Sequence, residues 1–283
     1  MAIKISGSTI IDDSRQLLNV GVSTFSGNIV PENDSSTDIG TNSVRFANIY
    51  ADTLYGDGSN LTGTGFDPDA QENLYAGTNA GAASDADTCF NIALGKNAGY
   101  SLNAGDYNVF LGHSAGQNAT DCSNNVFIGR DAGKCYDGGN NIFLGEYSGR
   151  GSTSVSSNTG GFNIAMGYIA GGCLTNGSYN IFFGKQAGCQ MAQGDSNIFL
   201  GCNAGRCATG GNCNIFIGEH AAGVGDVSGN CNVAIGVCAG RDLTSGNCNV
   251  FIGFEAGAQS TSCCGSVSIG PEAGKYNDGN YNV

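Results

Sequence analysis

Asn91-Ile92-Ala93-Leu94-Gly95-Lys96-Asn97-Ala98-Gly99 returns 17 residues later as Asn108-Val109-Phe110-Leu111-Gly112-His113-Ser114-Ala115-Gly116. The same unit restarts at Asn125, Asn141, Asn163, Asn180, Asn197, Asn214, Asn232, Asn249 and Ser266. A weaker first copy begins at Asn73, and a last one starts at Asn282-Val283. Most steps are 17 residues, with 16 or 18 elsewhere and one of 22 between Asn141 and Asn163. A period this regular means one supersecondary unit stacked many times.

Each slot has a physical reading. After the Asn come Ile or Val, then usually Phe or Ala, then mostly Leu or Ile, a run apolar on both alternating faces and so expected to be a strand buried on both sides. Gly95, Gly112, Gly129, Gly145, Gly167, Gly184, Gly201, Gly218, Gly236, Gly253 and Gly270 stand four places after the unit start, where they end the strand with a bend that a Cβ would obstruct. Two variable residues and an Ala-Gly pair follow, small residues that imply a second backbone passing close by. Another Gly, as at Gly177, Gly194, Gly211, Gly229 and Gly246, lies three residues before the next Asn among turn-forming residues. One repeat is therefore strand, bend, short segment and turn. About 17 residues make either one coil of a parallel β-solenoid or a strand-and-return unit wound about a three-fold axis. Identical Asn side chains at the start of stacked strands, from Asn91 to Asn249, are expected to hydrogen-bond one another as a ladder; an axial anion or water site is the alternative.

Composition narrows the class. The 283 residues include 48 Gly but 3 Pro, which argues against collagen and for many sharp turns. Charged residues are 12%, about half the usual share, so apolar positions need burial in an assembly. A net charge of −13 with 11 Lys and Arg excludes nucleic acid as the expected partner. No apolar run is long enough for a membrane span, and Met1 to Gly7 lack the core of a secretory signal, so the chain is expected to stay in a cytoplasm until lysis releases it. No amphipathic helical pattern of useful length is present, and the expected fold class is all-β.

Residues 1–65 lack the repeat. Asp38-Ile39-Gly40-Thr41, then Arg45-Phe46 and Asn48-Ile49-Tyr50, resemble a module widespread in bacteriophage tail fibres, cyanophage-like ones included, and in related virion appendages. Gly56-Asp57-Gly58-Ser59-Asn60-Leu61-Thr62-Gly63 and Ser8-Thr9-Ile10-Ile11-Asp12-Asp13-Ser14-Arg15 are similar to further segments of the same proteins. The repeats also resemble Gly/Asn-rich fibre repeats and, more distantly, the β-rolls of trimeric autotransporter adhesin heads. The resemblance implies a parallel homotrimer in a virion that joins baseplate or other fibre proteins and attaches to a host surface receptor. A cellular trimeric adhesin or extracellular filament subunit is the alternative. Residues 1–65 then form an N-terminal module, 66–72 a junction and 73–283 a shaft of about twelve repeats, with a receptor-binding tip expected beyond Val283. Residues 151–157 should bulge out as a loop.

The remaining motifs point to no chemistry. Gly112-His113-Ser114-Ala115-Gly116 matches a hydrolase nucleophile elbow, yet these are ordinary repeat slots, and sister repeats place Asn97, Asp131 or Gln186 where Ser114 sits. His113 and His220 read as solvated loop residues. No catalytic residue, cofactor or metal is expected. The 13 cysteines leave three readings open. They are small apolar fillers, or disulfides formed after release, favouring Cys202, Cys207, Cys213 and the vicinal Cys263-Cys264, or thiolate metal ligands, against which stands the lack of any Cys-x-x-Cys. Cys213, Cys231 and Cys248 each precede a repeat Asn and should stack in register; Cys89, Cys122, Cys202 and Cys238 read as scattered in turns.

Overall fold

The computed structural model describes residues 3–5, 8–11, 68–152 and 158–283. The chain divides into two units, Met1–Ser59 and Asn60–Val283. In the first, β1 (Ile3–Ile5) pairs antiparallel with β2 (Ser8–Ile11). The fibre-like segments around Asp38 to Tyr50 and Gly56 to Gly63 lie outside the described residues, as do residues 153–157 of the expected loop.

The second unit is an all-β parallel solenoid, and no helix occurs among the described residues. Twelve three-residue strands, one per coil, form a single sheet in strict chain order. They are β3 (Leu74–Ala76), β4 (Ile92–Leu94), β5 (Val109–Leu111), β6 (Val126–Ile128), β7 (Ile142–Leu144) and β8 (Ile164–Met166), then β9 (Ile181–Phe183), β10 (Ile198–Leu200), β11 (Ile215–Ile217), β12 (Val233–Ile235), β13 (Val250–Ile252) and β14 (Val267–Ile269). Every pair is parallel and in register, Phe199 lying between Phe182 and Phe216. Of the two windings the period allows, the solenoid coil within one chain is the one observed. Among the described residues the rest of each coil is a succession of turns with no second sheet.

Alternation along each strand sends the middle residue inward and its two neighbours outward. The middle side chain is fully buried from Ala93 to Phe251, while Ile92, Ile128, Ile142 and Phe183 remain exposed. The expectation of strands buried on both faces is thus met on the inner face alone within one chain; the outer face is apolar but uncovered.

In part of the stack the interior is filled by a size exchange between two slots. Phe110, Phe127 and Phe143 stack at centroid spacings of 5.1 and 4.9 Å, and Phe182, Phe199 and Phe216 at 5.3 and 4.7 Å. Where the strand instead carries Ala93, Ala165 or Ala234, the buried residue nine places later is Leu102, Leu174 or Leu243. Beside Phe110 and Phe199 that later slot holds Ala119 and Ala208, also buried. These five coils keep their cross-section filled, as close packing requires, whereas Phe127 and Phe182 are followed in the same slot by the large buried side chains of Tyr136 and Met191.

Backbone contact between coils explains the strand-ending glycines. Gly201 has φ +137°, and a Cβ there would lie 2.6 Å from the carbonyl oxygen of Gly218 in the next coil. Both the conformation and the close approach demand Gly. The Ala-Gly pair has a different cause from the one its sequence implied. At Gly205 (φ +55°) a Cβ would meet the Phe199 ring at 2.5 Å, so a side chain rather than a backbone occupies that space.

Two slots force a left-handed backbone on whatever residue they hold. Six places after the unit start, Tyr147 (φ 59°) and Ile169 (φ 58°) adopt it, and one place before the Asn so do Phe90 (φ 59°) and Tyr179 (φ 60°). That conformation disfavours β-branched and bulky residues by roughly 1–2 kcal/mol each, a cost offset by coil-to-coil hydrogen bonds such as Gln186 N–H to Tyr168 O, 2.8 Å.

Candidate functional site

The structure sets the repeated Asn side chains in one buried column beside the strands. Asn197 Oδ1 accepts both the backbone N–H of Asn214 (2.9 Å) and its Nδ2–H (3.2 Å). Asn214 Nδ2 also donates to the Gly229 carbonyl at 2.9 Å. The same pattern joins Asn91 to Asn108, Asn163 to Asn180, and Asn232 to Asn249. Asn141 donates only its backbone N–H to Asn125 Oδ1, at 2.8 Å, and turns its side-chain amide N–H to the Gly139 and Gly160 carbonyls. Because the amides satisfy one another and the backbone, their chemistry is spent on coil stacking. The column closes at Ser266, whose N–H donates to Asn249 Oδ1.

A second polar column, two residues before the Asn and interrupted at Gly139 and Gly161, was not foreseen. Ser178 N–H donates to Asp195 Oδ1 (2.7 Å), Asp195 N–H to Asn212 Oδ1 (2.8 Å), Asn212 N–H to Asn230 Oδ1 (2.8 Å) and Asn230 N–H to Asn247 Oδ1 (2.8 Å). Its members change type from coil to coil, so periodicity of identity does not reveal it; a recurring short oxygen-bearing side chain would have.

The 22-residue coil is closed by Asn158, which is buried. Its Nδ2 donates to the Cys135 and Ser152 carbonyls at 2.6 and 2.8 Å, and its Oδ1 accepts the Ser152 N–H at 3.1 Å, so Ser152 and Asn158 are held together in one clamp.

The remaining candidates fall into place as turn and surface residues. Ser114 is buried in the left-handed slot, while His113 is exposed one slot earlier. His220 Nε2 lies 3.3 Å from Asn203 Nδ2. Arg130 pairs with Glu146 and stacks on Tyr147, with Arg150 over the same ring, and the latter two line a shallow cleft with Ile169, Gly172 and Cys173. Among the described residues no group of three or more His, Cys, Asp or Glu is arranged around a single metal ion.

All 13 cysteines are free thiols in the structure, so no disulfide joins Cys202, Cys207 or Cys213, and none closes the vicinal pair. That pair is divided: Cys263 is buried and Cys264 turns outward. Nor are Cys89, Cys122, Cys263 and Cys264 scattered. Cys122 and Cys263 both take the slot three before the unit start, usually Gly, and their carbonyls accept the Nδ2–H of Asn108 and Asn249 at 2.8 and 2.6 Å. Burial pushes the Cys122 thiol and the Tyr136 hydroxyl well up from their ordinary values and raises the Cys263 thiol. Cys89 and Cys264 stand in the outer polar column.

The outer face carries the rest of the surface chemistry. In the slot before the Asn, Phe90 stacks on Tyr107 and Phe162 on Tyr179, each pair at 5.0 Å and nearly coplanar. Higher up the same column stand Ser196, Cys213, Cys231 and Cys248, the three thiols exposed. No family model, no curated protein and no solved structure matches the chain.

Proposed function

We propose that the chain is the shaft of a structural fibre, a parallel homotrimer of the phage tail-fibre kind, which joins other fibre or baseplate proteins and holds a host-attachment element away from the particle. In this reading it carries load, performs no chemistry on a substrate, and works in the virion and, after release, outside the cell.

The observation that carries the reading is the outward apolar face of the sheet. Two columns of side chains, from Ile92 to Val267 and from Leu94 to Ile269, run up eleven strands in register and face away from the core. Phe183 is 54% exposed and Ile269 66%. At about 4.8 Å per strand the face is roughly 50 Å long. Soluble monomers rarely leave contiguous apolar patches beyond about 300–600 Å². Packing the same face of parallel copies around a closed rotation axis covers it without leaving a free surface for further growth. The 12% charged composition fits a chain whose surface is partly hidden.

Light scattering on the size-exclusion peak, with negative-stain electron microscopy, tests this. The expected result is a three-chain rod. Ile181→Asp with Phe183→Asp, which alters no core contact, should release folded monomers. A wild-type chain that stays monomeric at micromolar concentration would overturn the proposal.

A further inference from the structure

Cys213, Cys231 and Cys248 occupy one slot in three successive coils, 18 and 17 residues apart. In sequence no Cys-x-x-Cys presents itself, but a solenoid brings its ligands together across coils. Each backbone is fixed. Cys213, Cys231 and Cys248 N–H groups donate to the Asp195, Asn212 and Asn230 carbonyls at 3.0, 2.9 and 2.9 Å, and the Asn212–Asn230–Asn247 ladder runs alongside. All three have φ of 58–59°, so their Cβ atoms leave the coil in parallel. The Cys231 side chain faces Cys213 on one side and Cys248 on the other, and all three are exposed.

The spacing selects the chemistry. Stacked coils stand about 4.8 Å apart, beyond the roughly 3.5–4.5 Å between the Cβ atoms of a relaxed disulfide. A metal–thiolate bond is about 2.3 Å, so an ion held linearly by two sulfurs spans about 4.6 Å, close to one coil step. Three sulfurs in a row cannot converge on a single tetrahedral or trigonal ion. They can hold ions between successive pairs. Soft thiolates select soft monovalent cations of the copper(I) class.

We infer that the Cys213–Cys231–Cys248 column is a binding site for soft, two-coordinate monovalent metal ions, with Cys231 as the shared ligand. Two thiols and one ion give a linear bis-thiolate carrying one negative charge and release two protons. The second ion adds the third thiol, with Cys231 bridging, and releases one more proton. No electron is transferred. The site lies within one chain and does not depend on the fibre reading.

The test is an anaerobic titration of the reduced full chain with silver(I), a redox-inert probe, in the presence of a competing small thiol, comparing wild type with Cys213→Ser, Cys231→Ser and Cys248→Ser. Serine is tolerated in this slot, since Ser196 fills it one coil earlier at φ 58°; circular dichroism checks that each variant folds. The other cysteines contribute equally to all four proteins. The expected outcome is a loss of about two tightly held ions for Cys231→Ser and about one for each terminal variant. An equal loss for all three variants, or none, would overturn the inference. So would peptide mapping of air-exposed protein that finds Cys231 joined by a disulfide to Cys213 or Cys248.

Discussion

The Asn column at the strand start and the mixed column two residues before it both tie each coil to the next, but under different constraints. In the inner column an Asn oxygen accepts from the following coil, as Asn197 does from Asn214; in the outer one a backbone N–H donates forward, as Asn212 does to Asn230. The inner side chains are fully buried and the outer ones half-buried or exposed. Burial is what makes the difference. Inside, the slot must supply an acceptor and a donor at fixed reach, because water cannot complete an unmet bond. Asn alone fits coil after coil. Outside, any short acceptor suffices and water does the rest, so Ser, Asp and Asn alternate.

The sharpest way to break this contrast is Asn197→Ala. It strips the acceptor from two Asn214 donors and leaves the Gly211 carbonyl without its 3.0 Å partner. At about 1–3 kcal/mol per unsatisfied buried group, the expected loss is roughly 3–6 kcal/mol. Urea unfolding followed by circular dichroism should read it as a lowered midpoint. Hydrogen exchange should place the opening at β10 and β11.

The apolar interior offers a comparable loss with a built-in rescue. Phe199→Ala removes a ring stacked 4.7 Å from Phe216 and should cost about 3–5 kcal/mol. Adding Ala208→Leu recreates the arrangement of Ala165 with Leu174 and is expected to recover most of the loss. A double variant no more stable than the single one would show that the two slots do not exchange volume.

In the outer column Asn230→Ala should cost only about 0.5–1.5 kcal/mol, because the released Asn212 N–H is accessible to solvent. Equal losses for Asn230→Ala and Asn197→Ala would remove burial as the explanation of the strict Asn repeat.

The sequence exposes whatever is strictly periodic. The strands, the Asn column and the strand-ending glycines from Gly95 to Gly270 recur in identity because each obeys one unvarying constraint. The exchange of Ala165 and Leu174 against Phe199 and Ala208 was equally present in the letters, but it becomes meaningful only once the coil's cross-section is known. The left-handed slots are illegible for the opposite reason. Ile169 and Tyr147 resist that conformation locally, and stacking imposes it on them. The reading of strands buried on both faces was half met, since apolar alternation reports which faces avoid water but not whether the same chain covers them.

The smallest expected effect lies at the outermost edge of the comparison, where an exposed carboxylate caps a turn of the neighbouring coil. Asp278 Oδ1 accepts the Thr261 N–H at 2.5 Å, the Ser262 N–H at 3.4 Å and the Thr261 hydroxyl at 3.2 Å. Those donors, the Thr261 amide foremost, hold its carboxyl below the ordinary value of 3.8. A depressed folded pKa means stability that is present above the unfolded pKa and is lost as pH falls through the folded one. Acidifying below about pH 4 should therefore loosen this turn. The group is almost fully solvated, so screening limits the contribution to a few tenths of a kcal/mol. Amide exchange at Thr261 should quicken on acidification relative to a distant reference amide such as Ile198, and Asp278→Asn should abolish that difference. If Thr261 and Ile198 keep a constant ratio across the acid range, the cap contributes nothing and the outer surface is held by backbone stacking alone.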